Sequence, residues 1–200
     1  TLKGEKSMSL RTDAETIMQT AIRASLPDAA VAKALEHKGF GKGKIILVAI
    51  GKAAWQMAKT AVGILDGRIS AGIVITKYGH SKGALPPLEI WEAGHPVPDE
   101  NSLKATQRAI ELVQGLQEED TVLFLISGGG SALFEKPLIS LQELQSITSD
   151  LLASGADIVS MNTIRKRLSS VKGGKFAHLC APAKVYAIVL SDIIGDPLDM

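Results

Sequence analysis

The sequence has 200 residues, a length that fits one large α/β domain. Its formal net charge of +1 and aromatic content of 4% give neither an electrostatic nor a stacking reason to expect a nucleic acid or a membrane surface as partner. Cys180 is the only cysteine, so no internal disulfide can form, and the longest apolar runs have the length of strands rather than of membrane-spanning helices. These features favour a cytoplasmic protein.

The N-terminal region shows helical patterns. Thr12 and Glu15 have the spacing of a capping box ahead of an amphipathic helix. Pro27 ends this helix, and Asp28 begins a shorter one that extends to about residue 37.

From residue 44 onward, strand and helix patterns alternate. We predict five strands in the ranges 44–50, 71–76, 88–93, 121–126 and 184–190. The helices between them are predicted at 53–65, after Asn101 as N-cap, from a Ser140–Glu143 capping box to about 153, and over 156–179 with an interruption at Gly173–Gly174. Such alternation predicts an α/β fold with a mostly parallel sheet covered by helices on both faces.

Ligands of open α/β sheets bind beyond the carboxyl ends of the strands. Each predicted strand here is followed by a glycine-rich or charged turn, at Gly51–Lys52, Lys77–His80, Gly94–Pro96, Ser127–Ser131 and Ser191–Asp192. We therefore expect the functional site at this edge of the sheet. The chain stops at Met200, soon after the last of these turns, where a further element is expected, so we interpret its end as a truncation.

The most informative turn is Ser127, Gly128, Gly129, Gly130 and Ser131. Its three glycines can adopt positive φ and approach a ligand closely. A helix predicted to begin at about Ser131 would direct its unpaired N–H groups toward the turn and attract phosphate. The alternative is a glycine-rich turn without a ligand, but three glycines between a buried strand and a helix favour an anion site.

Single charged residues follow two other strands. Lys52 comes directly after the first strand and would face the same edge as the glycine turn, although a solvated surface lysine explains its position equally well. Asp192 follows the last strand and could hold Mg²⁺ or orient a hydroxyl, with a turn-capping role as the alternative.

A basic stretch follows between residues 162 and 175. Asn162, Arg165 and Ser169 share one helical face, and Lys172 lies near it, seven residues after Arg165. Such a face suits phosphate or carboxylate, whereas a solvated helix face is the common fate of a charge run.

Two familiar nucleotide-binding patterns do not fit this sequence. The turn at Gly51–Ala54 is not the G-x-G-x-x-G fingerprint of nicotinamide-binding domains. The Gly39–Lys44 segment departs from the Walker A pattern and precedes a strand instead of following one.

Five blocks in this order resemble the type-2 glycerate kinase family: residues 49–54, 94–100, 126–132, 162–174 and 191–196. The resemblance covers about residues 11–197. It implies a Rossmann-like three-layer α/β/α fold for residues 1–200, which would form the N-terminal domain, with the family's smaller C-terminal domain absent from this chain. It also implies ATP-dependent phosphorylation of D-glycerate at its 2-hydroxyl, with a divalent cation, usually Mg²⁺.

Phosphoryl transfer to a small anion requires positioning and charge neutralisation, and we predict site residues on that basis. Ser127, Gly128, Gly129, Gly130 and Ser131 are expected to bind the ATP phosphates with help from Lys172. Catalytic roles are predicted for Lys52, Arg165 and Asp192, of which Asp192 also serves as the metal ligand. The substrate side is predicted to include His95, Asp99 and Asn162.

Two other functions stay open at this point. One is an NAD(P)-dependent hydroxypyruvate reductase, a name also used in this family, although the missing dinucleotide fingerprint favours the kinase. The other is a non-catalytic module that binds a phosphosugar or a nucleotide. A homo-oligomer is compatible with the sequence, which does not specify an oligomeric state.

Overall fold

The computed structural model describes residues 9–191, except for the side chain of residue 158. Its core is a sheet of five parallel strands: β1 (Ile45–Ile50), β2 (Ile69–Lys77), β3 (Leu88–Ala93), β4 (Thr121–Ser127) and β5 (Lys184–Leu190). The strand order is β3-β2-β1-β4-β5, with every pairing parallel. The predicted parallel sheet is confirmed, and the strand bounds agree with the predicted ones to within two residues.

Eight helices accompany the sheet within residues 9–191. They are α1 (Leu10–Ala24), α2 (Asp28–Leu35), α3 (Ala54–Leu65), α4 (Glu100–Leu112), α5 (Gly130–Leu133), α6 (Leu141–Ala153), α7 (Ile158–Leu168) and α8 (Lys175–Leu179).

Alternation of side chains along β1 divides the core into two layers. Ile46, Val48 and Ile50 pack in one apolar cluster with residues of α4 and α8. The intervening residues Leu47 and Ala49 pack in a second cluster with residues of α2 and α3. Helices thus cover both faces of the sheet, which confirms the three-layer α/β/α fold. All six residues of β1 are buried, as expected for a central strand.

Two predicted helix starts were wrong by a few residues. Ser9, not Thr12, is the N-cap of α1, because its side chain accepts a hydrogen bond from the backbone N–H of Thr12. Asp99, not Asn101, is the N-cap of α4, where it forms a reciprocal capping box with Ser102. The predicted capping box of Ser140 at the start of α6 is confirmed. The errors arise because several capping residues cluster at each start and only the backbone geometry selects one.

Helix α1 has no buried residues, and Leu10, Ile17, Met18 and Ile22 are all well exposed on it. Within residues 9–191, no helix combines the length and the apolar character needed to cross a membrane.

The strand order also positions the site. From β1 the chain winds outward through β2 to β3, and it then returns to β4 on the other side of β1. The direction of winding therefore reverses between β1 and β4. Open α/β sheets place their ligand crevice at such a reversal, beyond the carboxyl ends of the two strands. The turns after β1 and β4, which contain Lys52 and the three glycines, lie at this point.

Candidate active site

The turns after β1 and β4 are joined by hydrogen bonds. The backbone N–H of Lys52 donates to the carbonyl of Gly128 at 2.9 Å. The hydroxyl of Ser127 accepts from the backbone N–H of Ala53 at 3.1 Å and donates to the carbonyl of Ile50 at 3.2 Å. Ser127 is buried, so its hydroxyl acts as an internal connector between the turns. These hydrogen bonds therefore fix the position of the Lys52 backbone relative to the glycine turn.

Two glycines in this region have conformations and surroundings that disfavour a side chain. Gly51 has φ +112°, and a Cβ there would overlap Ser127. Gly129 has φ +86°, and a Cβ there would lie 2.8 Å from Nε2 of His95 and 3.3 Å from Cε of Lys52. The expected need for glycine in the turn is thus met at Gly129, which has both a left-handed conformation and close neighbours.

The helix after the glycine turn is only one turn long. It begins at Gly130, one residue before the predicted start, and ends at Leu133. A single turn carries a small dipole, so a strong helix-terminus effect is not available here. Attraction of an anion must come mainly from local N–H groups and from the surrounding cationic side chains.

Lys52 and His95 lie side by side at the glycine turn, since both approach the same position at Gly129. The Lys52 side chain is exposed, and His95 is partly buried. Burial lowers the pKa of His95, and the charges of Lys52, Lys77 and His80 lower it further. These influences favour the neutral imidazole, and they show that several cationic groups surround this edge of the sheet.

A cleft of about 850 Å³ opens on the other side of the glycine turn. The glycine turn contributes Ser127, Gly129, Gly130 and Ser131 to its lining, and the basic stretch contributes Asn162, Arg165, Lys166, Lys172, Gly173 and Gly174. The volume falls within the range of about 300–1,000 Å³ that is common for ligand pockets. The structure thus brings together two segments that the sequence analysis proposed separately. His95 and Asp99 do not line this cleft.

Arg165 is the most informative cation in the cleft. Its Nε atom is buried and has no hydrogen-bond partner within residues 9–191. Buried polar groups are normally hydrogen-bonded, and an unpaired one calls for an explanation. An anionic ligand in the cleft would supply the missing acceptor, and a guanidinium is well suited to phosphate.

Lys172 is engaged with the protein itself. Its Nζ atom donates to the carbonyls of Ser131 at 2.7 Å and Phe134 at 2.9 Å, and it forms an ion pair with Glu135 at 2.8 Å. Glu135 is almost fully buried and was not among the predicted site residues. No local sequence pattern distinguishes this residue, because its partner lies far along the chain.

Asp99 has several structural partners. It accepts hydrogen bonds from the backbone N–H of Ser102 at 2.9 Å and from the hydroxyl of Tyr78 at 2.7 Å. Burial opposes ionisation of Asp99, but the hydrogen bonds from Ser102, Tyr78 and Gly94 outweigh it and lower the pKa of this carboxyl. Its predicted substrate role stays a prediction, and its capping role is observed.

The predicted metal ligand Asp192 lies outside the described residues. Within residues 9–191, no group of three or more His, Cys, Asp or Glu side chains is arranged to hold a metal ion.

The fold and the cleft together define a Rossmann-like α/β domain with a glycine-lined, cationic crevice at the reversal point of its sheet. The chain belongs to the family described as Domain of unknown function (DUF4147), whose model matches residues 13–200.

Relatives of this chain have two kinds of name, glycerate kinase and hydroxypyruvate reductase. A D-glycerate 2-kinase of Thermotoga maritima is 56% identical over 194 residues, which are 96% of this chain and 46% of the relative. A protein of Agrobacterium vitis, provisionally named a hydroxypyruvate reductase, is 40% identical over 191 residues, which are 94% of this chain and 43% of the relative.

A solved structure, the crystal structure of glycerate kinase from Thermotoga maritima, matches with a TM-score of 0.84 and 55% sequence identity. The match covers 93% of this chain and 45% of that one. The chain therefore spans less than half the length of these relatives.

Proposed function

We propose that this chain is the phosphate-binding part of an ATP-dependent glycerate 2-kinase, which phosphorylates D-glycerate at its 2-hydroxyl to give 2-phosphoglycerate and ADP. The observation that carries the proposal is the cleft at the β1–β4 reversal, where the glycine turn meets a buried Arg165 Nε that has no acceptor within residues 9–191. The kinase names of the relatives support it.

In this proposal, the backbone of the glycine turn surrounds the ATP phosphates, and Arg165 supplies charge to them. Lys52, at the adjoining turn, meets the charge that builds up on the transferring phosphoryl group. The 2-hydroxyl oxygen of glycerate bonds to the γ-phosphorus while the bond from that phosphorus to the bridging oxygen breaks. ADP leaves with the bridging oxygen, and the hydroxyl proton passes to solvent, so the products are 2-phosphoglycerate, ADP and H⁺. Catalysis then depends mainly on positioning and on charge stabilisation.

The substrate side is proposed to include His95 and Asn162, which lie on opposite sides of the glycine turn, and Asp99 near His95. Asp192 is the proposed Mg²⁺ ligand, and the metal would neutralise phosphate charge when bound. Lys172 lines the same cleft and assists there.

The test is product analysis with the full-length protein, ATP, Mg²⁺ and D-glycerate. We expect ADP release and a phosphorus NMR signal of 2-phosphoglycerate. Formation of 3-phosphoglycerate alone would refute the position of transfer, and absence of ADP release would refute the kinase.

Hydroxypyruvate reduction is the second candidate, because two relatives from Agrobacterium vitis have that provisional name. It predicts a change of absorbance at the nicotinamide band when NAD(P)H and hydroxypyruvate are supplied. The turn after β1 lacks the spacing of a dinucleotide fingerprint, so we expect no such change. A non-catalytic binding module would bind ATP without releasing ADP in the presence of glycerate.

A further inference from the structure

A buried ion pair lies directly behind the glycine turn. Glu135 and Lys172 approach to 2.8 Å, with 1% and 13% of their side chains exposed. Buried charges are costly unless they are paired and hydrogen-bonded, so a pair at this position requires a reason beyond packing.

Lys172 forms contacts on both sides of the single helical turn of α5. Its three acceptors are the carbonyls of Ser131 and Phe134 and the Glu135 carboxylate. An ammonium has three N–H bonds, so these acceptors account for its full donor capacity. Ser131 lies within α5 and Phe134 is its C-cap, so Lys172 connects two points of the segment that follows the glycines.

Glu135 is itself fixed from two sides. Its backbone N–H donates to the hydroxyl of Thr106 at 3.0 Å, and Thr106 is a fully buried residue of α4. Its carboxylate accepts a second hydrogen bond, from the backbone N–H of Lys136 at 3.0 Å. The backbone of Glu135 is therefore bound to the core at α4, and its carboxylate, which is held by the N–H of Lys136, is the anchor for Lys172.

The electrostatic situation of Lys172 shows why the anchor is needed. Burial lowers the pKa of Lys172, the nearby charge of Glu135 raises it again, and Arg165 lowers it. Without the carboxylate, a buried ammonium beside a guanidinium would favour its neutral form, whose hydrogen bonds to the two carbonyls are no longer charge-assisted and are therefore weaker.

We propose that Glu135 is a positioning residue that holds Lys172 across α5 and thereby keeps the glycine turn in its phosphate-binding shape. The inference rests on the proposed phosphate role of that turn. It assigns the direct contact with phosphate to Arg165 rather than to Lys172, since the donors of Lys172 are already occupied.

The test compares Glu135→Gln, Lys172→Met and the double variant in the full-length protein. Each single change leaves one buried charge without its partner, so both are expected to lower the melting temperature. The double variant replaces both charges with neutral groups of similar size and should recover much of that loss. It still cannot connect Ser131 to Phe134, so its affinity for ATP and for inorganic tripolyphosphate should stay reduced by more than about tenfold, by calorimetric titration.

The control is Glu89→Gln, which breaks the exposed ion pair of Glu89 with Arg108 between β3 and α4. We expect it to leave the affinity for ATP unchanged. A KM for ATP that rises by more than kcat falls in the double variant would be further support for positioning.

A double variant that recovers both its melting temperature and wild-type affinity would overturn the inference, because the pair would then only stabilise the fold. Wild-type protein that binds ATP but does not phosphorylate glycerate would refute the proposed function and leave the positioning test valid. Wild-type protein that binds neither ATP nor tripolyphosphate would overturn both.

Discussion

Replacing Gly129 with valine should separate the phosphate-binding role of the glycine turn from its role in folding. Gly129 has φ +86°, a conformation that costs an ordinary L-residue about 1–2 kcal/mol. The side chain would also have to displace His95 and Lys52, because a Cβ would lie 2.8 Å from the imidazole Nε2 and 3.3 Å from the lysine Cε. The valine side chain would meet only the side-chain ends of these two neighbours. Because these ends can move, we expect the protein to fold.

The expected loss of ATP affinity depends on whether the strain at residue 129 is relieved in the free protein or in the ATP-bound protein. In the free protein the turn can relax away from positive φ, and binding must then restore the strained shape. An unfavourable 1–2 kcal/mol corresponds to a loss of affinity of about 5–30-fold. Displacement of Lys52 and His95 adds to this, so we expect a total loss of at least about 30-fold.

The assay is calorimetric titration of the full-length protein with ATP, with circular dichroism to monitor folding. Gly115→Val is the matched control, because Gly115 has φ +72° and no atom within 4 Å of its virtual Cβ, and it follows α4 at the opposite end of the sheet. It carries similar strain, but it should leave ATP affinity unchanged. Unchanged affinity in the Gly129 variant, or an equal loss in both variants, would refute a phosphate site at this turn.

Three further outcomes follow from the site. Lys52→Ala should lower kcat by about 10²–10³-fold, or about 3–4 kcal/mol, with a smaller effect on the KM for ATP, because its charge serves the transition state; a wild-type kcat would identify Lys52 as a solvated surface residue. Lys52→Met should raise the pKa of His95 toward its ordinary value, measured by NMR titration, because one of the charges that lower it is lost, whereas Lys104→Met on α4 should not. Burial raises the pKa of the Cys180 thiol to about 11, so it should react with a thiol reagent at pH 8 only after unfolding; rapid reaction of the native protein would contradict this.

The parallel sheet could be predicted from the sequence, and so could the edge of the sheet that carries the candidate site. β1, β2 and β4 contain short apolar runs rich in β-branched residues, and each of the five strands is followed by a turn that contains glycine or charge. These signals are local, because they reflect burial on both faces of a strand and the backbone freedom needed where a strand ends. For the same reason, the glycine turn and its neighbour Lys52 could be proposed without coordinates.

The different roles proposed for the cationic residues depend on the tertiary structure. Arg165 and Lys172 look equivalent in the sequence, as two basic residues near one helical face. In the structure, Lys172 is paired with Glu135 and two carbonyls, whereas the Nε of Arg165 is buried without an acceptor within residues 9–191. Likewise, Asp99 was predicted only as a substrate-side residue, and the structure shows it as the cap of α4.

Local sequence therefore determined the strands, the helices and the turns between them, because hydrophobic pattern and backbone preference act over a few residues. The tertiary structure decided which polar groups are occupied by the protein and which are left for a ligand. Hydrogen bonds between segments far apart in the chain satisfy some side chains and leave others unpaired, and neither composition nor spacing contains that information.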